Sequence, residues 1–138
     1  MKTFIIDDDY ISIYLTKHAL REAGTPGDIF SFLSAQEALT TILQAKPENI
    51  PDIIFLDLNM PGMSGWQFLE ALAPYKNRLL DKCQIHILTS SLDLADMARS
   101  EEFEIVSGFI HKTIDQANIK AIIAQIEEQA GLEKFTAG

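Results

Sequence analysis

The sequence predicts an α/β fold, a parallel β-sheet covered by helices on both faces. Three observations carry that prediction. Ile53-Ile54-Phe55-Leu56 is a continuous run of large apolar residues that leads straight into Asp57, with Pro61-Gly62 beyond. A run of this kind reads as a strand buried on both faces, the usual setting of an inner strand of a parallel sheet. Four other short apolar segments are each followed by a helical pattern, so a strand and a helix alternate five times. Finally, polar residues cluster just after these segments, at the strand ends where open α/β sheets keep their ligand chemistry.

Each element has its own signal. Residues 3–6 read as a short, mostly apolar strand that runs into Asp7, Asp8 and Asp9. Residues 10–23 read as the first helix, with Ile11, Leu15 and Ala19 at helical spacing, stopped by Gly24. A turn at Thr25-Pro26-Gly27 precedes the second strand, 28–33. Ser34 is placed to cap the second helix, with Glu37 three residues on as its capping-box partner, and Ala38, Leu39 and Ile42 face inward to about residue 45. Residues 46–51 form a loop with two prolines, and 52–56 are the third strand. The third helix runs from about 66 to 73 with Phe68, Leu69 and Leu72 apolar, and Trp66 is expected to be partly buried at its start. Residues 74–82 are a polar connection without a clear pattern. The fourth strand, 84–88, ends at Thr89-Ser90-Ser91, where Ser91 is placed to cap a fourth helix over about 92–101. The fifth strand, 108–110, ends at His111-Lys112. Asp115 caps the fifth helix, whose stripe is Ile119, Ile122, Ile123 and Ile126 and whose stop is Gly131. Right-handed crossovers leave few topologies, and the flavodoxin-like order 2-1-3-4-5 with five helices is the most economical. In that order strands 1 and 3 are neighbours, the winding reverses between them, and Asp7, Asp8 and Asp57 meet in one crevice.

Composition sets the outer bounds. The 138 residues suit one domain, expected over 1–130 with a tail at 131–138. With 20 acidic against 11 basic residues the net charge is −9, which argues against direct binding to nucleic acid or to an anionic membrane. A single cysteine, Cys83, allows no intrachain disulfide and fits a reducing, cytoplasmic setting. The apolar start is too short for a signal peptide or a membrane span. His18, His86 and His111 are scattered, and none is assigned to a metal or a base.

Three converging carboxylates repel one another and raise one another's pKa, so a cation is expected among them. Hard oxygen ligands suit Mg²⁺, which keeps several waters and often bridges to a phosphate. Three carboxylates, one Mg²⁺ and Lys112 sum to zero formal charge. Lys112 ends strand 5 on the same rim and can neutralise a phosphoryl oxygen; Thr89 ends strand 4 and offers a hydroxyl donor. An in-line nucleophile, a metal, a cationic clamp and hydrogen-bond donors are what phosphoryl transfer requires. Asp57 is therefore the expected phosphoryl acceptor, forming an acyl phosphate. Asp9 fits a helix cap better than a ligand.

The matching pieces are the acidic pair in Ile5-Ile6-Asp7-Asp8-Asp9, then Asp57-Leu58-Asn59-Met60-Pro61-Gly62-Met63-Ser64-Gly65, Thr89-Ser90-Ser91 and Gly108-Phe109-Ile110-His111-Lys112. In this the chain resembles the response-regulator receiver domains of two-component signalling, over essentially its whole length. The resemblance implies that Asp57 is phosphorylated, that Asp8 ligates Mg²⁺ directly and Asp7 mainly through water, and that Asn59 lends its backbone carbonyl. It also implies Thr89 as the switch hydroxyl, Phe109 as the switch aromatic, and Lys112 as the conserved-type lysine. Thr113 stands where such domains usually carry a proline, often after a cis bond, which leaves the geometry of the Lys112–Thr113 peptide open.

The implied partners are a histidine kinase or phosphotransfer protein, docking on the first helix, and a downstream protein target. A homodimer through the fourth and fifth helices is a further expectation. The face of the fourth helix, fifth strand and fifth helix would change on phosphorylation. Either the domain signals by protein contact or it is a segment of a longer chain. Two other classes compete. One is a receiver-like binding module that no longer uses phosphate. The other is an aspartate-nucleophile phosphohydrolase of the haloacid-dehalogenase type, which needs a second Asp where Asn59 stands. Apart from turnover of its own Asp57, the protein is not expected to be an enzyme.

Overall fold

The computed structural model describes residues 1–91 and 93–137, with side chains described through 129. Strands β1 (Lys2–Ile6), β2 (Asp28–Phe32), β3 (Ile53–Leu56), β4 (Gln84–Thr89) and β5 (Val106–His111) form one parallel sheet in the order β2-β1-β3-β4-β5. This is the expected flavodoxin-like winding. Five helices cross between or follow the strands: α1 (Tyr10–Glu22), α2 (Ala35–Gln44), α3 (Gly65–Leu72), α4 (Leu94–Ser100) and α5 (Gln116–Ala137). The connections carry 3-10 turns at Pro47–Asn49 and Ala73–Tyr75 and one helical turn at Lys76–Leu79, the last two filling the stretch that had no clear pattern.

The sheet separates two cores because successive side chains of a strand point to opposite faces. Ile53 and Phe55 join Ile5, Leu88, Ile13, Leu20, Ile119 and Ile122 under α1 and α5. Ile54 and Leu56 join Phe4, Ile6, Ile85, Ile87, Leu39, Ile42, Phe68 and Leu69 under α2 and α3. Every residue of β3 is buried, as its unbroken apolar run requires.

Several expectations are corrected. The inward stripe of α1 is Ile13, Thr16 and Leu20, whereas Ile11 is 70% and Leu15 42% exposed. Apolar residues lie on both sides of this helix, so spacing alone does not single out the packed face. Ser34 accepts from the Glu37 N–H, while the reciprocal capping box is found at Ser64 and Gln67, at the start of α3. The cap of α4 is Asp93, which accepts from the Ala95 N–H; the expected start at Leu92 lies outside the described residues. Ser91, two residues before that cap, instead accepts from the Asp93 N–H. β5 begins at Val106, because its pairing with β4 extends back to Ile85 past an irregularity at Ile85/His86. Helix α5 passes through Gly131 to Ala137. Asp115 does cap it, accepting from the Asn118 N–H at 2.8 Å, and Ile119 and Ile122 are buried as expected.

Candidate functional site

Backbone register builds the site. Ile6 lies opposite Leu56, and the Asp57 N–H donates to the Ile6 carbonyl at 2.9 Å, so Asp7 and Asp57 leave adjacent strands side by side. On the other flank Thr89 lies opposite His111, and the Lys112 N–H donates to the Thr89 carbonyl at 2.7 Å. Thus Asp7, Asp57, Thr89 and Lys112 occupy the carboxyl rim of four consecutive strands of the sheet.

Asp7 and Asp57 are buried and Asp8 is exposed; one ligand oxygen from each lies within 4.8 Å of the others. Lys112 Nζ is 2.9 Å from Asp7 Oδ2 and 3.8 Å from Asp57 Oδ1. Asp7 Oδ1 accepts from the Asp9 N–H at 3.0 Å, which fixes its carboxylate. Asp9 itself caps α1, accepting from the Ile11 N–H at 2.9 Å. Burial above all, and then the charge of Asp7, push the Asp57 carboxyl up from 3.8 to about 6. Lys112 and the Asn59 backbone N–H pull it down, and Asp8 adds to the rise.

Asn59 follows two residues after Asp57 with its side chain exposed, and its N–H binds the Asp57 carboxylate. Thr89 is fully buried, and its Oγ1 accepts from the Ser91 N–H at 3.1 Å. That bond uses a lone pair and leaves the hydroxyl proton able to donate. Phe109 is half-buried on β5 and packs against the α2–α3 core. The Lys112–Thr113 peptide is cis. His86 and His111 stand away from the carboxylates: His86 bonds Gln84 on its own strand, and His111 bonds the Ser90 carbonyl.

Sequence reading missed one constraint. A Cβ at Gly65 would lie 2.5 Å from the Asp57 carbonyl oxygen, and the Gly65 N–H donates to the Leu58 carbonyl at 3.0 Å. Glycine is what lets α3 begin against the backbone that carries Asp57. A glycine directly after the Ser64 cap was the available signal.

The donor set suits a hard divalent cation. Three carboxylates supply oxygen ligands, the exposed Asp8 leaves a path to water, and Asp57 is held protonation-prone until a positive charge offsets its neighbours.

Residues 3–124 match the family model of the response regulator receiver domain. The chain belongs to that family. It is similar to a two-component response regulator from Cytophaga hutchinsonii, 28% identical, with a TM-score of 0.80 over 92% of this chain and 96% of that one. A receiver protein from Dyadobacter fermentans has the same fold, with a TM-score of 0.80 at 21% identity over 91% and 97% of the two chains. Among curated proteins, the hybrid signal transduction histidine kinase L of Dictyostelium discoideum is 31% identical over 123 residues. That match covers 88% of this chain and 7% of the kinase, so the receiver spans a small part of that relative. The protein is therefore a receiver domain of two-component signalling, with an acidic cluster at the carboxyl rim of its sheet. Among the described residues no helix is long and apolar enough to cross a membrane.

Proposed function

We propose that this receiver is a phosphorylation-dependent switch in which Asp57 accepts a phosphoryl group from a histidine kinase or phosphotransfer protein. The observation that carries the reading is the charge arrangement: Lys112 Nζ at 2.9 Å from Asp7 and 3.8 Å from Asp57, inside a cluster of three carboxylates. Asp7, Asp8, Asp57 and the Asn59 carbonyl would hold Mg²⁺, which when bound supplies positive charge for the phosphoryl oxygens. Asp57 attacks phosphorus as a carboxylate, an acyl phosphate forms, and the donor's histidine leaves with its electron pair. Lys112 neutralises one phosphoryl oxygen and Thr89 donates its hydroxyl to another. As Thr89 moves toward the phosphoryl group, Phe109 turns inward and the α4–β5–α5 face changes, a two-state equilibrium biased by the modification.

The donor docks on α1. Tyr10, Ile11, Tyr14 and Leu15 are exposed there, and Tyr10, Tyr14 and Leu33 line a groove of about 560 Å³ shared with Ile13, Lys17, Ser31 and Glu37. Large exposed apolar side chains grouped beside a reactive carboxylate fit a protein interface better than a solvated helix face. A downstream protein target reads the α4–β5–α5 face, where a homodimer would also form. We take residues 1–130 as the receiver proper and 131–138 as its tail, in a cytoplasmic setting, with no direct contact to nucleic acid or membrane. Asn59, where a phosphohydrolase needs a second acid, argues against general turnover of phosphomonoesters.

Incubation with Mg²⁺ and acetyl phosphate is expected to add one phosphoryl mass to the protein and none to Asp57→Asn. Labelling of Asp57→Asn at another residue would reassign the acceptor. The absence of any mass gain, with no response to beryllofluoride, would leave a binding module that does not use phosphate.

A further inference from the structure

Helix α4 is weakly seated. Ser100 is its one buried residue, and that hydroxyl is spent within the helix, donating to the Met97 carbonyl at 2.6 Å. Leu94 is 76% and Met97 42% exposed. An element with so little buried surface opens at low free energy, and its resting position depends on the few side chains that tie it down. Those ties converge on one aromatic ring. The Arg99 guanidinium lies 4.4 Å from the centre of the Trp66 ring on α3, and Arg99 Nη2 donates to Glu70 Oε1, also on α3, at 3.3 Å. Phe103, just beyond α4, stacks on the same indole at 6.1 Å with an interplanar angle of 27°. Lys76 pairs with Glu104 at 3.1 Å and fastens the next turn. A planar guanidinium suits this place, since it can cover an indole face and pair with a carboxylate at once.

We propose that Arg99, clamped between Trp66 and Glu70, is a latch that holds α4 in its resting position against α3, and that phosphorylation of Asp57 releases it. The second clause rests on the phosphorylation reading; the first does not. Arg99 touches no reacting atom and acts by positioning α4. By linkage, if the phosphorylated state favours the unlatched helix, removing the latch strengthens binding of a phosphoryl mimic by the factor by which it loosens the helix.

The test is native-state hydrogen exchange of the full chain as wild type, Arg99→Ala, Arg99→Lys and Glu70→Gln, first without any phosphodonor. An exposed guanidinium–indole contact predicts that Arg99→Ala raises exchange of the α4 amides about fivefold while β3 amides keep their protection. Arg99→Lys retains the charge but not the planar stack and should fall between. Glu70→Gln should change little, because an exposed ion pair contributes less than the ring contact. Exchange of α4 in Arg99→Ala within twofold of wild type would overturn the latch, and so would an equal loss of protection in β3. A beryllofluoride titration with Mg²⁺ then tests release: Arg99→Ala should bind about fivefold tighter. Unchanged affinity beside a loosened helix would overturn release alone. If wild type neither binds beryllofluoride nor is labelled, the phosphorylation reading and the release that rests on it fall, while the exchange result still decides the latch.

Discussion

Asp57 is kept in tension by its surroundings. Its carboxyl is buried, faces Asp7, and is raised to about 6, so at neutral pH the metal-free protein carries a charge that its site disfavours. A raised carboxylate pKa means that the folded state holds the proton more tightly than the unfolded one. The associated stability is fully present below 3.8 and lost as pH rises through about 6. Asp57→Asn removes that cost while keeping the shape. In EDTA at pH 8 the variant should be more stable than wild type by about 2 kcal/mol, from a shift of about two pKa units discounted for relaxation around the missing charge. At pH 4 most of the difference should be gone, since the folded wild type is then nearly neutral at this position. Denaturant melts at the two pH values measure both. A variant less stable than wild type at pH 8 would show that Asp57 is better satisfied than its neighbours indicate. The reactive residue would thus be the one that folding alone disfavours, a compromise common where binding or chemistry is required.

At the scale of the element, the strands were more legible than the helices, for a physical reason. Strand ends coincide with abrupt changes from apolar to polar residues, as at Leu56-Asp57, Leu88-Thr89 and Ile110-His111, so the site residues could be placed from the sequence. On α1 the apolar residues Tyr10, Ile11, Tyr14 and Leu15 face outward while Ile13 and Leu20 face the core, and periodicity cannot choose between two apolar faces. The Arg99–Trp66 contact joins residues 33 positions apart on elements that no local pattern links. The fit of β5 against β4 was hidden in the same way. Gly108 lies opposite His86, and a Cβ built on it would meet His86 Nδ1 at 2.6 Å. The imidazole is held from the other side, its Nε2 bonded to Gln84 Oε1 at 3.0 Å, and so has little room to retreat. Gly108→Ala should therefore cost about 1–3 kcal/mol, the usual range for overpacking a filled core. Because the cost arises from one contact, the double variant with His86→Ala should lose less than the sum of the two single losses. Simple additivity would place the strain elsewhere in β5.

Over the whole molecule, two buried groups on neighbouring strands make the pH response depend on the cation. Burial lowers His86 from 6.5 to about 4, so it stays neutral in the fold while the unfolded chain takes up a proton. Its contribution is present above 6.5 and lost as pH falls toward 4, which makes stability rise with pH across that window. Asp57 works in the opposite direction between 3.8 and about 6, where its contribution falls as pH rises. Each slope is at most about 1.4 kcal/mol per pH unit, so in EDTA these two contributions should nearly cancel between pH 4 and 6. A divalent cation among Asp7, Asp8 and Asp57 favours the ionised carboxylate and draws the Asp57 pKa back down, which removes its slope and leaves that of His86 exposed. Stability should then rise steeply with pH from 4 to 6.5 in Mg²⁺, with the Mg²⁺-induced gain itself largest above pH 6, where no proton competes for the site. Thermal melts across this range with and without Mg²⁺ test the account. His86→Gln should flatten the Mg²⁺ profile and make the EDTA profile fall with pH, because the slope that opposes Asp57 is then gone. Parallel profiles with and without Mg²⁺ would mean that the three carboxylates do not share an ion, and the charge balance on which the proposed phosphoryl chemistry depends would fail with them.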